Sequence, residues 1–224
     1  MTLVIKDLVK TFDQPGGGSL TVLDLPNFQI DDGEQVVLIG ESGGGKTTLL
    51  HLISGLLAAD SGSIRVGGIE LTSLSEQGRD RFRASMVGYV FQTFNLLPAF
   101  TALENVRLGM TFGHGRIDPA RAIDLLDRVG LADRAHYKPS QLSVGQQQRV
   151  AIARSLAGKP KLLLADEPTA NVDPASADSV LNLIRTSCDE ENISLLMVTH
   201  SMDVAGRFSR VDRLDEINRA FAAS

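Results

Sequence analysis

Residues 40–47, Gly40-Glu41-Ser42-Gly43-Gly44-Gly45-Lys46-Thr47, satisfy the spacing G-x-x-x-x-G-K-[ST]. Each part of the motif answers one charge requirement of a phosphate chain. Glycines let successive backbone N–H groups turn inward around phosphate oxygens, a lysine ammonium reaches the β and γ oxygens, and the following hydroxyl ligates Mg²⁺. Gly40, Ser42, Gly43, Gly44, Gly45, Lys46, Thr47 and the adjoining Thr48 are therefore the expected cradle. Further along, Leu162-Leu163-Leu164-Ala165 runs into Asp166-Glu167. An acidic pair at the end of an apolar strand is by itself an ordinary solvated exit, but a phosphate loop upstream gives each carboxylate a task. Asp166 holds the Mg²⁺ through its water shell, and Glu167 orients or deprotonates a water for in-line attack on the γ-phosphorus.

These groups need a strand to deliver the loop and a helix to receive it, and the patterning supplies both. Short β-rich runs at 3–5, 21–23, 28–30 and 35–39 are punctuated by Gly, Pro and Asp, with Gly16-Gly17-Gly18 as a turn. From 47 to 57 the residues Leu49, Leu50, Leu52, Ile53 and Leu56 recur at helical spacing, so the loop sits between a strand and a helix. Strand character returns at 64–71, and 99–158 reads mostly helical. Within it a helix opens at Asp118-Pro119 and closes at Gly130, with Ala122, Leu125, Leu126 and Val129 forming an inward face. The runs 161–165 and 194–199 suit central strands buried on both faces, separated by a helix around 176–187. The expected fold is α/β, one domain over 1–224, with a catalytic core of 1–98 and 159–224, an antiparallel β region at its N-terminal end, and a helical subdomain of 99–158. The last thirty residues are too charged and unpatterned to assign.

Composition narrows the classes. Hydrophobic residues make up 43% and charged residues 22% of the 224, which excludes global disorder and fibrous repeats. Twenty-two basic against 27 acidic residues leave a net charge of -5, which argues against nucleic acid as the main partner. No uninterrupted apolar run exceeds four residues, far short of the roughly 20 that span a bilayer. Lys6 and Asp7 interrupt the place where a signal peptide needs its apolar stretch, and Cys188 is the only cysteine. A cytoplasmic location is expected.

Between the two halves of the phosphate chemistry lies Leu142-Ser143-Val144-Gly145-Gln146-Gln147-Gln148-Arg149, opening a helix with Val150, Ala153 and Leu156 on one side. With the phosphate loop, Gln92, this LSxGQ-like run, Asp166-Glu167, Ala170-Asn171-Val172-Asp173 and His200 in that order, nearly the whole chain resembles the nucleotide-binding subunit of an ABC transporter. The resemblance implies the P-loop fold of that family and ATP hydrolysis by two copies that sandwich two ATP with Mg²⁺. Position by position it implies that Phe12 stacks on adenine, although a lone Phe beside a turn is also ordinary core packing. Gln92 would sense Mg²⁺ and the γ-phosphate. Ser143, Gly145 and Gln146 would cap the γ-phosphate bound by the opposite subunit. Asp173 would lie across the dimer seam, or simply cap the next helix ahead of Pro174. His200 would contact the γ-phosphate, or serve as a structural histidine after a buried strand. Two departures stand out: Val144 replaces the usual glycine, and Asn171-Val172 replaces the commoner Ala-Leu.

The segment Phe91-Gln92-Thr93-Phe94-Asn95-Leu96-Leu97-Pro98, followed by Thr101-Ala102-Leu103-Glu104-Asn105-Val106, looks like the lipoprotein-releasing and macrolide-exporter subgroup. That likeness implies a homodimer on the inner face of the cell membrane, bound to a separate permease and driving export or extraction of a lipoprotein, peptide or drug. Phe94, Leu96 and Leu97 have two readings, burial in the subdomain or exposure for permease docking. Three rivals remain. An importer ATPase usually has a longer C-terminal region than an end at Ser224 allows. A soluble ABC protein of DNA repair or translation fits poorly, because Lys46 and Asp166 leave no room for a long coiled-coil insertion. A module that binds ATP without turnover is disfavoured by the presence of both Glu167 and His200.

Overall fold

The computed structural model describes residues 1–41, 43–111 and 117–220. Ser42 of the phosphate loop lies outside them. Two sheets share the work. β1 (Leu3–Asp13), β2 (Ser19–Ile30), β4 (Ser61–Val66) and β5 (Ile69–Glu70) form an antiparallel sheet in the order β2-β1-β4-β5. The turn between β1 and β2 uses Gly16, Gly17 and Gly18, all at positive φ. The runs 21–23 and 28–30 prove to be one strand. β2 lies at the edge of its sheet, and an edge strand tolerates the missing N–H of Pro26.

The second sheet is parallel, in the order β6-β7-β8-β3-β9: β3 (Gln35–Ile39), β6 (Val87–Val90), β7 (Leu162–Asp166), β8 (Ser194–Thr199) and β9 (Arg210–Arg213). β7 and β8 are buried along their whole lengths, which is why both read as continuous apolar runs. One core lies between this sheet, α1 (Lys46–Ile53) and the antiparallel sheet, and joins Leu3, Leu23, Leu38, Leu50 and Leu164. A second core lies on the other face under α3 (Ala102–Thr111), α4 (Pro119–Arg128), α5 (Val144–Leu156) and α6 (Pro174–Glu191). α4 starts where the sequence signals: the Asp118 carboxylate accepts from the Arg121 amide at 3.1 Å, Pro119 takes the first turn, and Ala122, Leu125, Leu126 and Val129 are buried. Arg121 then fastens α4 to its neighbours, donating to the carbonyls of Leu156 and Ala157 and to Glu191 at 2.6 Å.

The sequence reading lacks α2 (Glu76–Met86). Its only buried residue is Phe82, so no apolar stripe announces it; its start is set by Ser75, whose hydroxyl accepts from the Gly78 amide. The C-terminal part is also more ordered than its patterning suggests. It supplies α7 (Met202–Ala205), the charged edge strand β9 and α8 (Leu214–Ile217). Arg210 in β9 is paired with Glu34 and Asp212. The buried Asn218 bridges to the open edge of β2, accepting from the Asp24 amide at 2.7 Å and donating to the Val22 carbonyl at 2.9 Å.

Candidate active site at the carboxyl edge of the parallel sheet

β3 ends at Ile39, and the loop that follows turns directly into α1 at Lys46. Gly43 and Gly45 adopt positive φ, 81° and 89°. A Cβ at Gly45 would stand 3.0 Å from Val22 Cγ1 and 3.3 Å from the Val22 carbonyl, so glycine is required there by conformation and by the close approach of β2. Gly44 closes the turn through its amide, which donates to the Glu41 carbonyl at 3.1 Å. A Cβ at Gly40 would stand 3.4 Å from Leu214 Cβ of α8, an ordinary contact. The Lys46 ammonium is buried and donates to the carbonyls of Gly40 at 2.7 Å and Glu41 at 2.8 Å.

β7 is a neighbour of β8, which pairs with β3, and this parallel order brings Asp166 to the same edge as Thr47. The Thr47 hydroxyl donates to Asp166 Oδ1 at 3.3 Å. Burial pushes the Asp166 carboxyl above its ordinary range; the Thr47 hydroxyl pulls it down, the Glu167 charge pushes it further up, and His51 and Lys46 act downward. Tyr89 of β6 is buried next to this carboxylate, and burial first, then Asp166, hold its phenol protonated.

Glu167 sits just past β7 at φ 46°, a left-handed conformation that costs a non-glycine residue about 1–3 kcal/mol. It is retained because the Glu167 amide donates to the Val198 carbonyl at 3.0 Å and the carboxylate is held at both oxygens. Thr199 Oγ1 donates to Oε2 at 3.0 Å, and His200 Nδ1 lies 2.7 Å from Oε1. An ionised carboxylate only accepts, so Nδ1 carries the proton and His200 Nε2 remains for another partner. Thr199 is the functional contact that sequence reading missed; its one available signal is its place at the end of β8, immediately before His200.

Gly43, Gly45, Lys46, Thr47, Thr48, Gln92, Asp166, Glu167 and His200 line one cleft of about 330 Å³. Ser143, Gly145, Gln146, Asp173 and Phe12 are not among the described residues that line it. Phe12 is 39% exposed in β1, on the hairpin that abuts Gly45, with Lys10 Nζ 5.3 Å from its ring centre. Asp173 caps α6, accepting from the Ser176 amide at 3.0 Å. Ser143 and Gln146 form a reciprocal capping box at the start of α5: the Ser143 hydroxyl accepts from the Gln146 amide at 3.3 Å, and the Gln146 side chain accepts from the Ser143 amide at 2.9 Å. Val144 begins the helix with ordinary negative φ and is 49% exposed. Phe94 and Leu96 are half-buried, Leu96 against the helical core, while Leu97 is exposed.

A glycine loop between a parallel strand and a helix, a buried lysine in it, and a carboxylate pair on a neighbouring strand define a P-loop nucleotide hydrolase. The chain belongs to the ABC transporter family, whose family model matches residues 23–170. It is 44% identical over 205 residues to the lipoprotein-releasing system ATP-binding protein LolD of Treponema denticola, covering 91% of this chain and 90% of that protein. The protein of the same name from Pseudomonas fluorescens is 42% identical over 216 residues, covering 96% and 95%. Among solved structures, the post-hydrolysis dimer of the ATP-binding cassette MJ0796 bound to ADP and Pi superposes with a TM-score of 0.85 at 35% identity, covering 94% of this chain and 93% of that one. The expected α/β fold, ATP as substrate and the ATP hydrolase class are thereby established for this chain.

Proposed function

We propose that two copies of this chain enclose two ATP molecules and use their hydrolysis to drive a separate membrane permease that releases lipoproteins from the membrane. The observation that carries the mechanism is the division of the site. One copy supplies the cleft with Lys46, Asp166, Glu167 and His200, but its described lining holds none of Ser143, Gly145 and Gln146. A helix N-terminus, the positive end of the helix dipole, suits a γ-phosphate presented by another copy. The dimeric cassette and the LolD proteins reported above support this arrangement and its cargo. No described helix is long and apolar enough to cross a membrane, which fits a subunit held at the inner face of the membrane by its permease. Net charge -5 supports the exclusion of nucleic acid.

In this reading the amides and glycines of 40–48, Ser42 included, hold the phosphates, Lys46 neutralises them, and Phe12 supports the adenine. The residues present fit Mg²⁺: Thr47 and Asp166 offer hard oxygens 3.3 Å apart, and Gln92 lines the same cleft. No group of three or more His, Cys, Asp or Glu suited to a metal occurs among the described residues, which agrees with an ion that keeps phosphate and water as most of its ligands. When bound, Mg²⁺ neutralises charge on the β and γ oxygens. Glu167, aimed by Thr199 and His200, takes the proton of the attacking water, and His200 would contact the γ-phosphate. Asp173 meets the second copy at the seam. Residues 1–98 and 159–224 act as the catalytic core, and 99–158, with the exposed Leu97 beside it, as the body that the permease moves.

Glu167→Gln keeps the hydrogen-bonding shape and removes the base, so ATP should persist between two copies. Size-exclusion chromatography of this variant with Mg-ATP should give a dimer and without nucleotide a monomer. A variant that stays monomeric with ATP even beside its co-purified permease would refute the shared site. Mass spectrometry of membrane partners captured in mild detergent tests the cargo assignment.

A further inference from the structure

The loop from Glu167 to Asp173 touches the segment around Gln92 through one side chain that the mechanism above does not use. Asn171 Nδ2 donates to the backbone carbonyl of Gln92 at 2.7 Å, across 79 residues of sequence. The donor side is tied by several hydrogen bonds. The Ala170 amide donates to the Glu167 carbonyl at 3.0 Å, the Val172 amide to the Thr169 carbonyl at 3.2 Å, and the buried Gln148 of α5 donates to the Pro168 carbonyl at 2.6 Å. Val172 is buried, and Asp173 opens α6. On the acceptor side, Gln92 lies just past β6, and the chain beyond it is gripped by α5, where Arg154 donates to the carbonyls of Phe94 at 2.7 Å and Asn95. Gln92 is thus fixed on one side by the loop that carries Glu167 and runs on into the helical body on the other. An alanine at 171 has no donor to offer.

We propose that Asn171 is a positioning residue for Gln92. By holding the Gln92 carbonyl it fixes the backbone from which the Gln92 amide reaches into the cleft, and it joins the loop bearing Glu167 and Asp173 to the segment leading into the helices. The inference rests on the assignment of Gln92 to the metal given under the proposed function. A hydrogen bond of this kind on a partly exposed loop is worth enough to change a coupled equilibrium by about three- to tenfold.

Asn171→Asp keeps the size of the side chain, removes the donor and opposes oxygen to oxygen; Asn171→Gln restores an amide donor. Hydrogen exchange of a peptide spanning 91–97 is measured in the nucleotide-free protein. Mn²⁺ affinity is measured by electron paramagnetic resonance in the ATP-loaded Glu167→Gln background, and ATP affinity in EDTA serves as the reference. Asn171→Asp should speed exchange over 91–97 and weaken Mn²⁺ binding about three- to tenfold, while metal-free ATP affinity and melting temperature hold. Asn171→Gln should recover both. Parent-like exchange, faster exchange with an unmoved Mn²⁺ affinity, or a loss of ATP affinity and thermal stability together would each overturn the proposal. Gln92→Ala separates the two readings. If it weakens Mn²⁺ binding while Asn171→Asp does not, only the role of Asn171 falls; if it leaves Mn²⁺ affinity unchanged, the metal assignment of Gln92 falls and this role falls with it.

Discussion

Replacing Gly145 by alanine should make the protein more stable and much less active. Gly145 is the second residue of α5 and has ordinary helical backbone, being absent from the positive-φ positions. A Cβ built there meets nothing closer than Ser176 Oγ at 3.7 Å, Ser176 Cβ at 3.8 Å and Val172 Cγ1 at 3.9 Å, all comfortable contacts. Among the described residues nothing therefore demands a glycine there. Alanine exceeds glycine in a helix interior by about 0.8–1.0 kcal/mol, and the first turn realises roughly half to all of that. At about 2–4 °C per kcal/mol for a domain of this size, the melting temperature of the nucleotide-free chain should rise by about 1–4 °C. If the glycine serves the close approach of a second copy's γ-phosphate, the added methyl group keeps the seam from closing and turnover should fall at least tenfold, about 1.4 kcal/mol. Gly45→Ala is the contrast: φ of 89° and a Cβ 3.0 Å from Val22 Cγ1 should lower the melting temperature outright. Scanning calorimetry and steady-state ATPase assays decide the matter. A Gly145→Ala protein that melts several degrees lower, or that hydrolyses ATP at the parent rate, refutes the reasoning.

Val144→Gly should leave ATPase activity within a few-fold, because Val144 has negative φ and an exposed side chain; a severe loss in steady-state rate would place the critical glycine at 144 instead. Lys46→Ala should abolish turnover, since the phosphates would meet the loop without their buried ammonium, and hydrolysis at the parent rate would remove the phosphate site from 40–48. Asp166→Asn should also abolish turnover but raise the melting temperature of the nucleotide-free chain near neutral pH. Burial raises the Asp166 pKa in the folded state, so its favourable contribution exists below the unfolded carboxylate pKa and is lost as pH rises through the folded value. The stability gain of the asparagine variant should therefore shrink as pH falls into the acid range, and a gain independent of pH in thermal melts would contradict this cause.

What was readable in the sequence is local chemistry with strict spacing. The run 40–47 declares its function because a phosphate chain needs amides, an ammonium and a hydroxyl within one turn of backbone, and no distant residue is required. β7 and β8 were legible because strands buried on both faces carry continuous apolar runs, and α4 because Asp118, Pro119 and a buried stripe mark its start and inner face. α2, β9 and α8 were not legible because they bury few side chains, and the end of α8 is held by Asn218 on the edge of β2, across nearly the whole chain. The site divides in the same way. Residue types at Lys46, Asp166, Glu167 and His200 were evident, but the parallel order β7-β8-β3 puts them in one cleft. The Thr199 and His200 bonds that aim Glu167 at positive φ, and the bond from Asn171 to Gln92, exist only once strands far apart in sequence become neighbours. Sequence sets which groups are available, because chemistry resides in side-chain type and local spacing. Tertiary structure decides their mutual distances, because sheet order and register are settled by burial summed over the whole chain.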